Sequence, residues 1–137
     1  NLDFAPTLLD YANIIPSEEI QGLSFRNIVN QNQSNWRDAI YYTYYEYPSV
    51  HMVKRHYGIV SKDYKLVRFY YDVDEWELYD RKKDPYELNN VYGDDEYKSI
   101  REDLHLRLES LRKKYKDSDE LNEFYIKKYL EKNKSRN

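Results

Sequence analysis

Three strand-like runs, Tyr57 to Ser61, Tyr64 to Tyr71 and Trp76 to Tyr79, follow one another with links of only two and four residues (Lys62-Asp63, then Asp72 to Glu75). No other feature restricts the fold as much, because a parallel crossover needs a dozen or more residues and these links permit only antiparallel neighbours. A fourth run, Ile40 to Tyr47 (IYYTYYEY), is dense in strand-favouring residues. Alternation puts Tyr42, Tyr44 and Glu46 on one of its faces and Tyr41, Thr43, Tyr45 and Tyr47 on the other, and Pro48 ends it. After Trp76, Leu78 and Tyr79, Asp80 opens a polar turn. The Asp84-Pro85 step stops regular structure there, since proline fixes φ, lacks an N–H and pushes the preceding residue out of the α region. Asp94 or Asp95 then caps a long helix in which Tyr97, Ile100, Leu104, Leu108, Leu111 and Tyr115 recur every three or four residues. That stripe needs an apolar partner, and one face of the sheet is the obvious one. The predicted class is α+β, with a four-stranded antiparallel sheet packed against a long C-terminal helix and preceded by a short N-terminal helix.

The short helix is read over Asp3 to Ala12, with Asp3 as N-cap, Pro6 in the first turn and Leu8, Leu9 and Ala12 at helical spacing. Asn13 suits the left-handed position that ends a helix. Gly22 to Val29 reads as a turn and a brief helical piece, and the Asn-, Gln- and Ser-rich stretch Asn30 to Asp38 as a surface loop. Beyond Tyr115 the chain is mostly charged, with Leu121, Phe124, Tyr125, Tyr129 and Leu130 spaced for a weaker helix. The expected organisation is a junction segment over 1–37, an α+β subdomain over 38–116 and a charged, partly helical tail over 117–137.

A chain of 137 residues suffices for one domain with a real core. A net charge of −3, with acids interleaved among the lysines, argues against a nucleic-acid partner, which needs a concentrated basic face. There is no cysteine, hence no disulfide, thiolate metal site or cysteine nucleophile in these residues. No apolar run approaches the roughly 20 residues of a membrane span, and the first residues lack the layout of a signal peptide.

The stretch richest in potential chemistry is Tyr45 to Gly58 (YEYPSVHMVKRHYG), where a strand hands over to a loop holding His51, Lys54, Arg55 and His56. Arg55 offers a planar fork for a sulfate or carboxylate, and His51 and His56 offer partners for hydroxyls. The residues by themselves favour the plainer reading, solvated Lys54 and Arg55 with His56 half-buried at the start of a strand. The acidic cluster Asp72, Asp74, Glu75 and Glu77 lacks the glycine and ligand spacing of a calcium loop and reads as a solvated turn. His105, beside the helical stripe, reads as structural. The 17 tyrosines could stack on sugars or simply fill sheet faces.

Several of these stretches together resemble the C-terminal subdomain of the type I, formylglycine-dependent sulfatases. The opening Asp3 to Asp10 is similar to that family's D-x-x-P-T-L-L-D, and Ile20 to Ser24 to its I-x-G-x-S. Tyr64 to Leu66 and Glu77-Leu78-Tyr79-Asp80 follow in the family's order. Asp84-Pro85-Tyr86-Glu87 with Asn90 then is similar to D-P-x-E-x-x-N. The run from Glu46 to Gly58 resembles sulfatases acting on 6-O-sulfated N-acetylglucosamine, where this loop reaches the active-site cleft. By that resemblance the substrate-binding candidates are His51 first, then Arg55 and His56, and the partner is a sulfated glycan. The related pattern continues G-I-R-T, whereas Val60-Ser61 follows Gly58-Ile59 here, so an arginine at that point is missing.

The resemblance also implies what this segment lacks. A sulfatase nucleophile is a formylglycine made from Cys or Ser in C/S-x-P-x-R, and calcium is held upstream by Asp and Asn. None of the serines here stands in that motif. Formylglycine and calcium are therefore expected in an upstream part of a periplasmic or extracellular parent, with no catalytic residue and no metal site in this segment. Its apolar junction around Phe4, Leu8 and Tyr11 would face the parent's catalytic domain or, left bare, drive self-association. The alternative, from a different class, is a stand-alone glycan-binding or protein-interaction module without catalysis.

Overall fold

The computed structural model describes residues 1–30, 36–48 and 51–134, the last three by backbone only. The chain divides into two compact units, Asn1–Arg37 and Asp38–Asn137.

In the first unit, α1 (Phe4–Tyr11) and the single turn α2 (Arg26–Val29) are tied together by polar groups rather than by an apolar stripe. Asp3 stands at the N-cap position, but its carboxylate does not cap α1. It accepts the Leu23 N–H at 2.9 Å and pairs with Arg37. The buried Thr7 hydroxyl donates to the Asp3 carbonyl at 2.6 Å and accepts the Phe25 N–H at 3.0 Å. The Asp10 carboxylate takes the Ser24 hydroxyl at 2.5 Å and pairs with Arg26 at 3.2 Å. The Ser24 bond holds its carboxyl below the usual range, with Arg26 adding to the effect against the opposing influence of burial. Asn13, at φ 57°, ends α1 as its sequence predicts, with the Ile14 N–H returning to the Leu9 carbonyl at 2.8 Å. Gly22 is required by close approach, since a Cβ there would lie 2.1 Å from the Leu2 carbonyl oxygen. Pro6 is buried, but many of the larger apolar side chains face outward, and Leu8 is 68% exposed.

The second unit is an antiparallel meander, β1 (Ala39–Tyr44), β2 (His56–Ser61), β3 (Tyr64–Phe69) and β4 (Glu75–Asp80), in sequential order. Register aligns Tyr41, Ile59, Leu66 and Leu78 in one row across the sheet. Against that face packs α3 (Lys98–Lys114), whose Leu104 and Leu108 close a core with Tyr57, Ile59, Leu66, Leu78 and Tyr97. Each fully buried leucine or isoleucine contributes roughly 1.5–3 kcal/mol. Asp94 is the cap: its carboxylate accepts the Glu96 N–H at 2.9 Å and starts a 3₁₀ turn, Asp95–Tyr97, that leads into α3.

Two strands stop earlier than alternation suggests. β3 ends at Phe69 because Tyr71 takes φ 89°, which breaks the ladder after one last bond from the Tyr70 N–H to the Arg55 carbonyl at 3.2 Å. β1 ends at Tyr44, where its pairing with β2 runs out at His56. Beyond α3, Lys116 at φ 56° reverses the chain, the Asp117 N–H returns to the Arg112 carbonyl at 3.0 Å, and α4 (Asp119–Lys134) follows. The surface loop read over Asn30 to Asp38 lies largely outside the described residues.

Candidate functional site

The loop between β1 and β2 is anchored at its C-terminal end. Lys54 Nζ donates to the Tyr47 hydroxyl at 2.9 Å, pairs with Asp72 and sits 4.3 Å from the centre of the Tyr47 ring. These partners, Asp72 first, raise the lysine's pKa and so keep it charged. Met52 takes φ 52°, a left-handed conformation that a residue with a side chain adopts at a cost and that directs the chain sharply beside His51.

The three candidate residues separate. His51 lies exposed in the turn, and among the described residues nothing hydrogen-bonds, pairs with or stacks on its ring. His56 opens β2, half-buried, on the face turned away from α3, flanked by Tyr42, Tyr44 and Phe69 at ring distances of 5.7, 5.8 and 5.3 Å. Its Nδ1 is 2.8 Å from the Lys54 carbonyl, which can only accept, so Nδ1 carries the proton and Nε2 is the acceptor. Arg55 is 0% exposed. It and His56 are consecutive on extended chain and therefore point to opposite sides of the sheet, so one surface cannot present both. Arg55 lies with the rings of Tyr71 and Tyr129, at 5.9 and 5.5 Å, and its Nη2 is 3.4 Å from the Tyr125 carbonyl oxygen of α4.

Sequence reasoning missed Arg112. It stands on the Leu104, Leu108 row one further helical step along, and that spacing was the available signal. Buried, it donates to the Tyr57 hydroxyl at 3.2 Å and to Asp119 at 2.7 Å, tying α3 to the start of α4. The tyrosine excess is resolved in part as packing: Tyr45 stacks on Tyr125 at 4.3 Å, and Tyr41 on Tyr115 at 5.9 Å. Three of the four acids of the 72–77 cluster have separate partners, Asp72 with Lys54, Asp74 with Arg68, and Glu77 with the Tyr79 hydroxyl. Burial and Glu77 push the Tyr79 phenol up to about 12. A groove of about 300 Å³ at the opposite end of the strands, between Lys62-Asp63 and α3, has its one arginine, Arg107, already paired with Asp38 and Asp103.

The signature residues downstream prove architectural. Asp80 is buried, accepts the N–H groups of Lys82 and Lys83 at 3.1 and 3.0 Å, and takes the Tyr97 hydroxyl at 3.0 Å. Asp84 accepts the Leu88 and Asn89 N–H groups at 2.7 and 2.8 Å, Glu87 pairs with Lys65 and Arg81, and Asn90 Oδ1 takes the Leu78 and Tyr92 N–H groups, both at 3.0 Å. The unspecified positions Tyr86 and Leu88 are 82% and 79% exposed.

A four-stranded meander closed by one helix, with a buried Asp80 and the Asp84-to-Asn90 loop bracing the fourth strand, is the C-terminal subdomain type of sulfatases. Residues 1–114 match the family described as N-sulphoglucosamine sulphohydrolase, C-terminal, and the chain belongs to that family. It is 49% identical over 122 residues to an N-acetylglucosamine-6-O-sulfatase of Bacteroides thetaiotaomicron, covering 87% of this chain and 22% of that protein. It is 32% identical over 123 residues to an arylsulfatase of Clostridium perfringens, covering 87% and 24%. Among solved structures it matches one of a protein in complex with its substrate D-glucosamine-2-N,6-O-disulfate, with TM-score 0.81, 49% identity, and 85% and 24% of the two chains covered. The chain thus spans between a fifth and a quarter of the length of these relatives.

Proposed function

We propose that this chain is the C-terminal part of a sulfatase that hydrolyses the 6-O-sulfate of an N-acetylglucosamine-type residue in a glycan, and that it supplies scaffold and one wall of the sugar pocket. The observation that carries the reading is the 49% identity to an N-acetylglucosamine-6-O-sulfatase over 87% of the chain. The exposed His51 loop gives that wall its contact. On this reading His51 hydrogen-bonds a sugar hydroxyl, which its exposure supports, while Lys54 and His56 hold the loop and the strand behind it. The exposed apolar side chains of the first unit, among them Phe4, Leu8 and Tyr11, are the surface the parent's catalytic part would cover.

No residue of the sequence stands in a formylglycine motif, and nothing among the described residues fits a calcium ion. The chain has no cysteine and no serine in the required motif, and among the described residues no trio of acidic or histidine side chains is grouped to hold a metal. Both groups would belong to the upstream part of the parent, no step of ester hydrolysis runs through residues described here, and the segment alone should be inactive.

In the full-length parent enzyme His51→Ala should lower kcat/KM for a 6-O-sulfated N-acetylglucosamine substrate by about tenfold, the value of one lost hydrogen bond in a closed site. Its melting temperature should not change, because the ring packs on nothing described here. Wild-type kinetics for this variant would remove His51 from the site.

A further inference from the structure

Among the described residues of the second unit two arginines are buried, and their surroundings differ in kind. Arg112 faces the carboxylates of Asp119 and Asp117 and the hydroxyl of Tyr57, as expected of a structural cation. Arg55 is fully enclosed, yet its Nε and Nη1 have no acceptor, and among the described residues no carboxylate pairs with it. The nearby Tyr70 hydroxyl gives its proton to Asn122 Oδ1 at 3.2 Å, and a hydrogen bond from Arg55 to its oxygen, followed by the charge of the guanidinium, works against the rise that burial imposes on this phenol, so this neutral partner leaves the cation without an anion. Enclosing a guanidinium without an anion is costly, and the cost is recovered whenever water or an anion reaches it.

What encloses Arg55 is α4, which lies beyond the 1–114 span shared with the family. Its first turn is pinned by Arg112 to Asp119 at 2.7 Å. Further along, it is held over Arg55 by the Tyr45–Tyr125 stack at 4.3 Å, by Tyr70 to Asn122, and by the long contact from Arg55 to the Tyr125 carbonyl. A helix pinned at its first turn, with its middle turns resting on a cation that no carboxylate pairs, is built to lift. We propose that α4 is a lid over an anion subsite in which Arg55 binds a sulfate or carboxylate group, masked while α4 is down and available when it swings about its Asp119 end. The planar guanidinium matches both oxyanions, and the ring of Tyr71, 5.9 Å from it, would flank them. This goes beyond the sulfatase reading and is tested on the present chain, so either idea can fail without the other.

The test follows the side-chain Nε–Hε NMR resonance of Arg55, assigned by its loss in Arg55→Gln, in the full chain and in Tyr125→Ala, which removes the stack on Tyr45. The probes are inorganic sulfate and N-acetylglucosamine 6-sulfate, with chloride at equal ionic strength and N-acetylglucosamine as controls. Apparent affinity scales with the open fraction of a masked site, so half-saturation should fall about tenfold in Tyr125→Ala. In the unmodified chain, amide exchange in α4 should quicken as either probe is added. Followed through the backbone amide shifts of α4, which survive the loss of the Arg55 resonance, Arg55→Gln in the Tyr125→Ala background should abolish the tightening, and comparing the two probes shows whether the subsite takes free sulfate or a sulfated sugar. An Arg55 resonance that ignores both probes, or equal affinity with and without Tyr125, would overturn the proposal and leave Arg55 as the anchor of α4. The resonance in Tyr125→Ala decides the matter even if Arg55→Gln does not fold.

Discussion

At the scale of single residues, side chains that look like chemistry in this sequence mostly prove to satisfy backbone. Asn90 shows it best: one carbonyl oxygen takes the N–H of the fully buried Leu78 and that of Tyr92, so a residue in a loop closes both the fourth strand and the turn after it. Asn90→Ala leaves a donor in the core strand unpaired and should cost about 1–3 kcal/mol, measured as a lower urea midpoint with an unchanged m-value. The same variant in the parent enzyme should keep its KM at temperatures where it stays folded. Arg55 and His56 make the complementary point. Their identities and positions suggest a joint site, but the pleat puts them on opposite faces, and only His51 is left open to solvent. No property of the three residue types reveals that division. It depends on where the strand begins, which pairing of His56 with Tyr44 and Phe69 decides.

At the scale of elements, periodicity was a good guide wherever one face is buried. The four strands, their antiparallel order and the helix lying across them all follow from alternation, short links and the Tyr97 to Tyr115 stripe. Ends were less legible, because local backbone geometry sets them: Tyr71 at φ 89° cuts the third strand short, and Asp3 gives its carboxylate to Leu23 and Arg37 instead of to its own helix. The join between α3 and α4 is a clear case of geometry overriding residue preference. Lys116 occupies the left-handed position there at φ 56°, where glycine carries no Cβ penalty. Lys116→Gly should therefore stabilise the chain by about 1 kcal/mol, read as a melting temperature several degrees higher. An unchanged or lower value would mean that the freedom gained by the unfolded chain outweighs the relief.

At the scale of the whole molecule, stability should carry a pH signature written by His105. Its ring stands edge-on to Trp76 at 4.3 Å, its Nε2 is 3.1 Å from the Tyr92 hydroxyl, and burial, helped by the charge of Arg101 and opposed by Glu109, holds its pKa below the ordinary value of 6.5. The unfolded chain then takes up a proton before the folded one. Stability is full above pH 6.5 and falls as pH drops through the lower, folded pKa. The difference in unfolding free energy between the unmodified chain and His105→Gln, followed by urea denaturation from pH 8 to pH 5, should shrink on the acid side; a constant difference would place His105 in water. Hydrophobic period, link length and turn residues are local quantities that the chain carries wherever it folds, which is why the α+β class, the antiparallel pairing across the short links and the family can be read without coordinates. Which charged side chains are buried, that Asp80, Asp84 and Asn90 act on backbone, and that Arg55 lies beneath α4 emerge from the folded chain alone. Those are contacts between residues up to 74 positions apart, as Arg55 is from Tyr129, and burial is a property of what comes to lie on top of a residue rather than of the residue itself.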